Sequence, residues 1–154
     1  MQTERYQTTC TAETEAIGAS LASRFLEQPS ALPHYVALYG DLGVGKTAFV
    51  RGFASVIAPN SAVRSPTFAL VHEHRGMVLD LFHFDMYRIT GEDDLYSIGY
   101  EDYLARHGVC IVEWSENIPF ALPDEYVRVT ITKCDPTQPD LREICVEHVK
   151  EAVC

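Results

Sequence analysis

"GDLGVGKT" runs from Gly40 to Thr47, and its reading decides the fold. It fits G-x-x-x-x-G-K-[ST], the phosphate-binding loop in which glycines let successive backbone N–H groups converge on phosphate oxygens. In a chain of 154 residues, a chance match is expected on the order of one time in a hundred or less. Such a loop needs a strand before it and a helix after it. "HYVALY" (34–39) reads as that strand. "KTAFVRGFASVIA" (46–58) reads as that helix, with Phe49, Val50, Phe53, Ala54 and Ile57 on one face and "PNS" ending it. The backbone of Gly40, Asp41, Leu42, Gly43, Val44 and Gly45 then forms the cradle, at the positive end of a helix. Lys46 reaches the β- and γ-phosphates, and the Thr47 hydroxyl ligates Mg²⁺.

Outward from the loop, "TAETEAIGASLASRFLEQ" carries Ile17, Leu21 and Phe25 at helical spacing, predicting a helix over about 12–27. Two apolar-rich runs flank Arg75-Gly76 and predict a β-hairpin. "GEDDLYSIGYEDYLARHG" reads as one or two short helices stopped by Gly108. "VCIVEW" is a continuously apolar strand, the pattern of burial on both faces. "SENIPFALPDE" reads as a loop. "YVRVTITK" and "LREICVEHV" alternate apolar and polar residues and read as a second hairpin at the sheet edge. Hairpins among βα units require a mixed sheet. The expected fold is therefore α/β, a three-layer P-loop NTPase fold with a mixed central sheet, in a single domain spanning 1–154.

A phosphate loop needs a carboxylate for its magnesium, usually at the end of a buried strand. Asp85 in "HFDMYR" and Glu113 in "VCIVEW" both end predicted strands, where α/β folds place ligands. The plainer alternative is that either acid caps an element or pairs with Arg88. Thr67 in "SPTF" offers a hydroxyl where switch loops use one, or simply opens a strand. Trp114, beside Glu113, suits stacking on a base or partner, or the core. His72 and His74 share one strand face, and His83 lies across the hairpin. A metal site is one reading of that trio; solvated or partly buried histidines are the commoner outcome, and the one adopted. "TKCD" (132–135) matches a guanine-reading motif, but no D-x-x-G lies upstream, and the motif falls at a hairpin turn. Guanine recognition is set aside.

Twelve basic against 22 acidic residues give a net charge of −10. Nucleic-acid binders neutralise phosphates with Lys and Arg, so this chain is expected to bind DNA or RNA poorly alone. Any nucleotide site must be locally positive, held by magnesium and backbone N–H groups. No apolar run approaches a membrane span, and the first residues lack signal-peptide features. Five scattered cysteines without Cys-x-x-Cys fit reduced thiols. A cytoplasmic location is expected.

With "GDLGVGKTAFVRGF", "SPTFALVHEH", "HFDMYR" and "VEWSEN" in order, the chain resembles the bacterial TsaE (YjeE) family. These are small P-loop ATPases required for threonylcarbamoyladenosine, at adenosine 37, on tRNAs that read ANN codons. The resemblance runs from about Gln7 to His148. It implies an ATP site at Gly40–Thr47, Asp85 and Glu113 acting near magnesium, a switch-like Thr67 and a functional Trp114. It implies partners TsaD and TsaB, with TsaC supplying threonylcarbamoyl-adenylate, and slow hydrolysis in the isolated subunit. Ser115 departs from the family, which commonly has proline after Glu-Trp. Two other functions fit a phosphate loop. A small-molecule kinase would need an arginine cluster or lid, and the nine arginines here are dispersed. An ATP-sensing module that scarcely hydrolyses would carry the same motif.

Overall fold

The structure is a computed structural model that describes residues 3–41, 43–64 and 70–150. Its elements follow as β1 (Glu4–Thr8), α1 (Thr11–Glu27), β2 (Tyr35–Tyr39), α2 (Lys46–Ile57), β3 (Val71–His74), β4 (Asp80–Asp85), α3 (Glu92–Ser97), α4 (Tyr100–Ala105), β5 (Gly108–Glu113), β6 (Glu125–Lys133) and β7 (Arg142–Lys150). The described strands form one sheet in the order β1-β7-β6-β2-β5-β4-β3. Its centre is parallel, with β2 between β5 and β6 and with β4 beside β5. Both flanks are antiparallel.

Side-chain alternation divides this sheet into two cores. Leu81, Val109, Ile111, Val36 and Leu38 pack with α1 and α2 on one face. Ala37, Phe82, Phe84, Cys110 and Val112 pack with Leu95 of α3 and Tyr100 of α4 on the other. These are the three layers expected. In α2, Phe49, Val50, Phe53, Ala54 and Ile57 are all buried. Burying each such phenylalanine contributes about 1.5–3 kcal/mol. The α1 and α2 backbones approach closely at two glycines. A Cβ on Gly52 would meet the Glu15 carbonyl oxygen at 1.8 Å, and one on Gly18 the Phe49 carbonyl oxygen at 2.2 Å.

Three expectations change. The C-terminal hairpin is not the sheet edge: β6 joins β2 in parallel, and β7 is covered by β1. The strand β1 itself carried no clear sequence signal, because "ERYQT" is polar on one face and short. Gly108 does not stop the preceding helix, which ends at Ala105; it opens β5. A Cβ there would meet the Asp80 carbonyl oxygen and the Phe82 ring, each at 2.7 Å, so the glycine serves strand packing. Within the predicted loop 115–125, Ser115–Asn117 and Pro119–Ala121 form 3₁₀ turns.

Candidate functional site

The parallel strands deliver the candidate residues together. Gly40 to Gly45 follow the carboxyl end of β2, and α2 begins at Lys46. Asp85 and Glu113 end β4 and β5 and stand side by side in register. Both acids are buried, Asp85 at 5% exposure and Glu113 at 3%. The Thr47 hydroxyl, in the first turn of α2, donates to Glu113 Oε1 at 3.2 Å. Asp85 Oδ1 accepts the Tyr87 N–H at 2.9 Å, which turns the chain after β4. Thr47, Asp85 and Glu113 therefore offer the all-oxygen set that a hard cation takes. Of the other expected residues, Leu42 and Thr67 lie outside the described residues.

Gly40, Gly43 and Gly45 adopt φ of +148°, +79° and +111°. Side chains rarely tolerate that backbone region. At Gly40 a Cβ would also meet the Ile131 carbonyl oxygen at 2.5 Å. The Lys46 ammonium is buried and donates to the carbonyl of Gly40 and, at 3.3 Å, to that of Asp41. It also lies 3.6 Å from the centroid of the Trp114 ring, a cation–π contact. Burial pulls this ammonium below its usual pKa, and the nearby Glu116, Glu113, Asp85 and Asp41 charges oppose that. Trp114 holds a left-handed φ of +60°, and its ring tilts against Tyr87 at 5.0 Å.

Hydrogen bonds join the two acid-bearing segments. The Met86 N–H donates to the Glu113 carbonyl at 3.0 Å, and Asn117 Nδ2 donates to the Met86 carbonyl at 2.9 Å. Ser115 is fully buried, and its hydroxyl donates to the Val112 carbonyl at 2.8 Å. Two residues that sequence reading missed hold the glycine loop. Glu116 Oε2 accepts the Gly40 N–H at 3.2 Å. Arg142 Nε, from β7, donates to the Val44 carbonyl at 3.0 Å. Neither had a local signal, because each reaches the loop only through the tertiary fold.

His83 Nε2 bonds Glu113 Oε2 at 2.5 Å, so Glu113 is shared between Thr47 and His83. His72 pairs directly with His83 across β3 and β4. His72 and His74 are partly buried, as expected, whereas His83 is fully buried. Ring nitrogens of His72, His74 and His83 lie within 4.8 Å of one another. Burial and the facing His83 hold the His72 and His74 imidazoles below their usual pKa.

The Asp135 carboxylate is occupied by Thr137 and Gln138 in the β6–β7 turn. That is a turn-capping role. Strand direction did not separate this motif from a guanine reader, since β6 runs parallel to β2. A separate groove of about 940 Å³ between α3, α4 and Phe120 contains none of the candidate site residues. Among the described residues, no helix is long and apolar enough to cross a membrane.

Comparison with known proteins bears on the whole chain. The family model described as "Threonylcarbamoyl adenosine biosynthesis protein TsaE" matches residues 8–143. A TsaE protein of that biosynthesis from Bacillus subtilis is 34% identical over 154 residues, covering 100% of this chain and 93% of that one. The Haemophilus influenzae TsaE protein is 38% identical over 100 residues, 65% of this chain and 63% of that one. The crystal structure of Bacillus subtilis YdiB superposes with a TM-score of 0.74 at 31% identity, covering 96% of this chain and 86% of that one.

Proposed function

Because this chain belongs to the TsaE family, we propose that it is a Mg-ATP-binding, slowly hydrolysing P-loop ATPase subunit of tRNA threonylcarbamoyladenosine biosynthesis. Its output is threonylcarbamoylation of adenosine 37 in tRNAs reading ANN codons. It acts in the cytoplasm on a TsaB–TsaD complex, with TsaC supplying the activated group. The observation that carries the nucleotide site is the convergence of Thr47 and Glu113 at 3.2 Å, with Asp85 beside Glu113 in register.

Each residue has a role in this reading. Backbone N–H groups of Gly43 to Thr47 and the α2 N-terminus receive the phosphates. Lys46 exchanges its carbonyl partners at Gly40 and Asp41 for phosphate oxygens. Thr47, Asp85 and Glu113 hold Mg²⁺, which neutralises charge on the phosphates when bound. Trp114 loses its cation as Lys46 turns, so the 114–117 segment senses the nucleotide. Thr67 serves as the switch-loop hydroxyl.

The test compares Lys46→Ala, Thr47→Ala, Asp85→Asn and Glu113→Gln with the parent chain. The first two are expected to weaken Mg-ATP binding at least about tenfold by calorimetry. The last two are expected to cut turnover at least about a hundredfold, with Tm little changed. Parent-like affinity and turnover throughout would refute the site. For the pathway, TsaB, TsaC and TsaD are combined with substrate tRNA with and without this chain. Equal modification in both reactions would refute the role.

A further inference from the structure

We propose that His72, His74 and His83 form a binding site for a borderline transition-metal ion of the Zn²⁺ type, distinct from the oxygen-lined magnesium set. Three observations carry it. First, the three ring nitrogens already lie within 4.8 Å of one another. A tetrahedral Zn²⁺ with Zn–N near 2.1 Å holds its nitrogens roughly 3.4 Å apart. Binding a metal therefore requires the rings to draw closer together. Second, His83 is fully buried, yet its Nδ1 has no hydrogen-bond partner among the described residues; neither has the buried His74 Nε2. Buried polar atoms are normally satisfied, and leaving one bare is costly. Two of the three histidines thus each keep a buried nitrogen with no partner among the described residues. Third, the opposite nitrogen of His83 bonds Glu113 at 2.5 Å. A carboxylate only accepts, so Nε2 is the donor there, and in the neutral ring Nδ1 keeps its lone pair. Metal-bound imidazoles are typically oriented by a carboxylate in this way.

The strand geometry explains how the trio assembles. His72 and His74 alternate onto one face of β3, and the antiparallel register sets His83 opposite His72. Imidazole ligands suit Zn²⁺, Cu²⁺ and Ni²⁺ and disfavour Mg²⁺. Three protein ligands leave one position for water or an exogenous group.

The experiment uses the full chain, stripped of metal and kept in excess Mg²⁺ to occupy the oxygen-lined site. Zn²⁺ is titrated by calorimetry, and Co²⁺ by visible absorption. One equivalent of Zn²⁺ is expected to bind, and Co²⁺ is expected to give the intense bands of a four-coordinate site. His72→Gln and His74→Gln sit on the less buried strand and spare the His83–Glu113 bond. Each is expected to weaken Zn²⁺ binding at least about tenfold, with an unchanged circular dichroism spectrum. Absence of stoichiometric Zn²⁺ binding overturns the site, and so does parent-like affinity in both variants. Neither result depends on ATP, so the outcome is separate from the nucleotide reading.

Discussion

Trp114 is the sole tryptophan in the chain, and it stands against the ammonium of the phosphate-loop lysine at 3.6 Å. Its left-handed φ of +60° costs about 1 kcal/mol or more for a non-glycine residue. That strain is held in place by the buried Ser115 and by Asn117 on Met86. Its fluorescence is therefore expected to respond to the position of Lys46. Saturating Mg-ATP is expected to change the emission spectrum of the parent chain, measured by steady-state titration. An unchanged spectrum at nucleotide levels that calorimetry shows to be saturating would mean Lys46 keeps its place over the ring. At this scale the sequence was legible wherever chemistry is local. Gly40–Thr47 is a contiguous motif, and Asp85 and Glu113 each end an apolar run. Glu116 and Arg142 were not legible, since each grips the loop from a distant element. The histidine trio was legible: the period of two placed His72 with His74, the predicted hairpin set His83 across from them, and the register adds that His83 faces His72.

Helices α1 and α2 meet without side chains at Gly18 and Gly52. Gly52→Ala therefore drives a methyl group into the α1 backbone, and the helices must separate. Overpacking of this kind costs about 1–3 kcal/mol or more, and the effect is expected as a lowered urea midpoint with little change in m. Ser55→Ala, on the same helix, removes only a hydroxyl bonded to the Gly52 carbonyl and is expected to cost far less. The stripes that make these helices were readable because they are long and periodic. The edges of the sheet were not. "ERYQT" is half exposed along its length, so its alternation is carried by few apolar residues. The place of β6 beside β2 is a property of the chain crossing the sheet, which no local pattern encodes.

Over the whole molecule, the net charge of −10 leaves no electrostatic drive toward a polyanion. Five of the nine arginines are also engaged in ion pairs: Arg5 with Glu143, Arg24 with Glu4, Arg51 with Glu15, Arg106 with Glu73 and Arg128 with Glu147. The chain alone is expected to leave tRNA unshifted in a native gel near 0.15 M salt, at protein concentrations in the tens of micromolar, roughly the non-specific range for such binding. A discrete shifted band would place tRNA contacts on this subunit rather than on its partners. The pairing of residues 4–8 with residues 142–146 bears on how the protein is born. During synthesis β2, α2 and the acid-bearing strands emerge long before β7, and β1 waits for its neighbour throughout. Arg142, which grips the Val44 carbonyl, is among the late arrivals. A nascent chain on the ribosome thus carries its glycine loop without that clamp, and the loop is fully fastened only when the sheet's last long-range pairing closes.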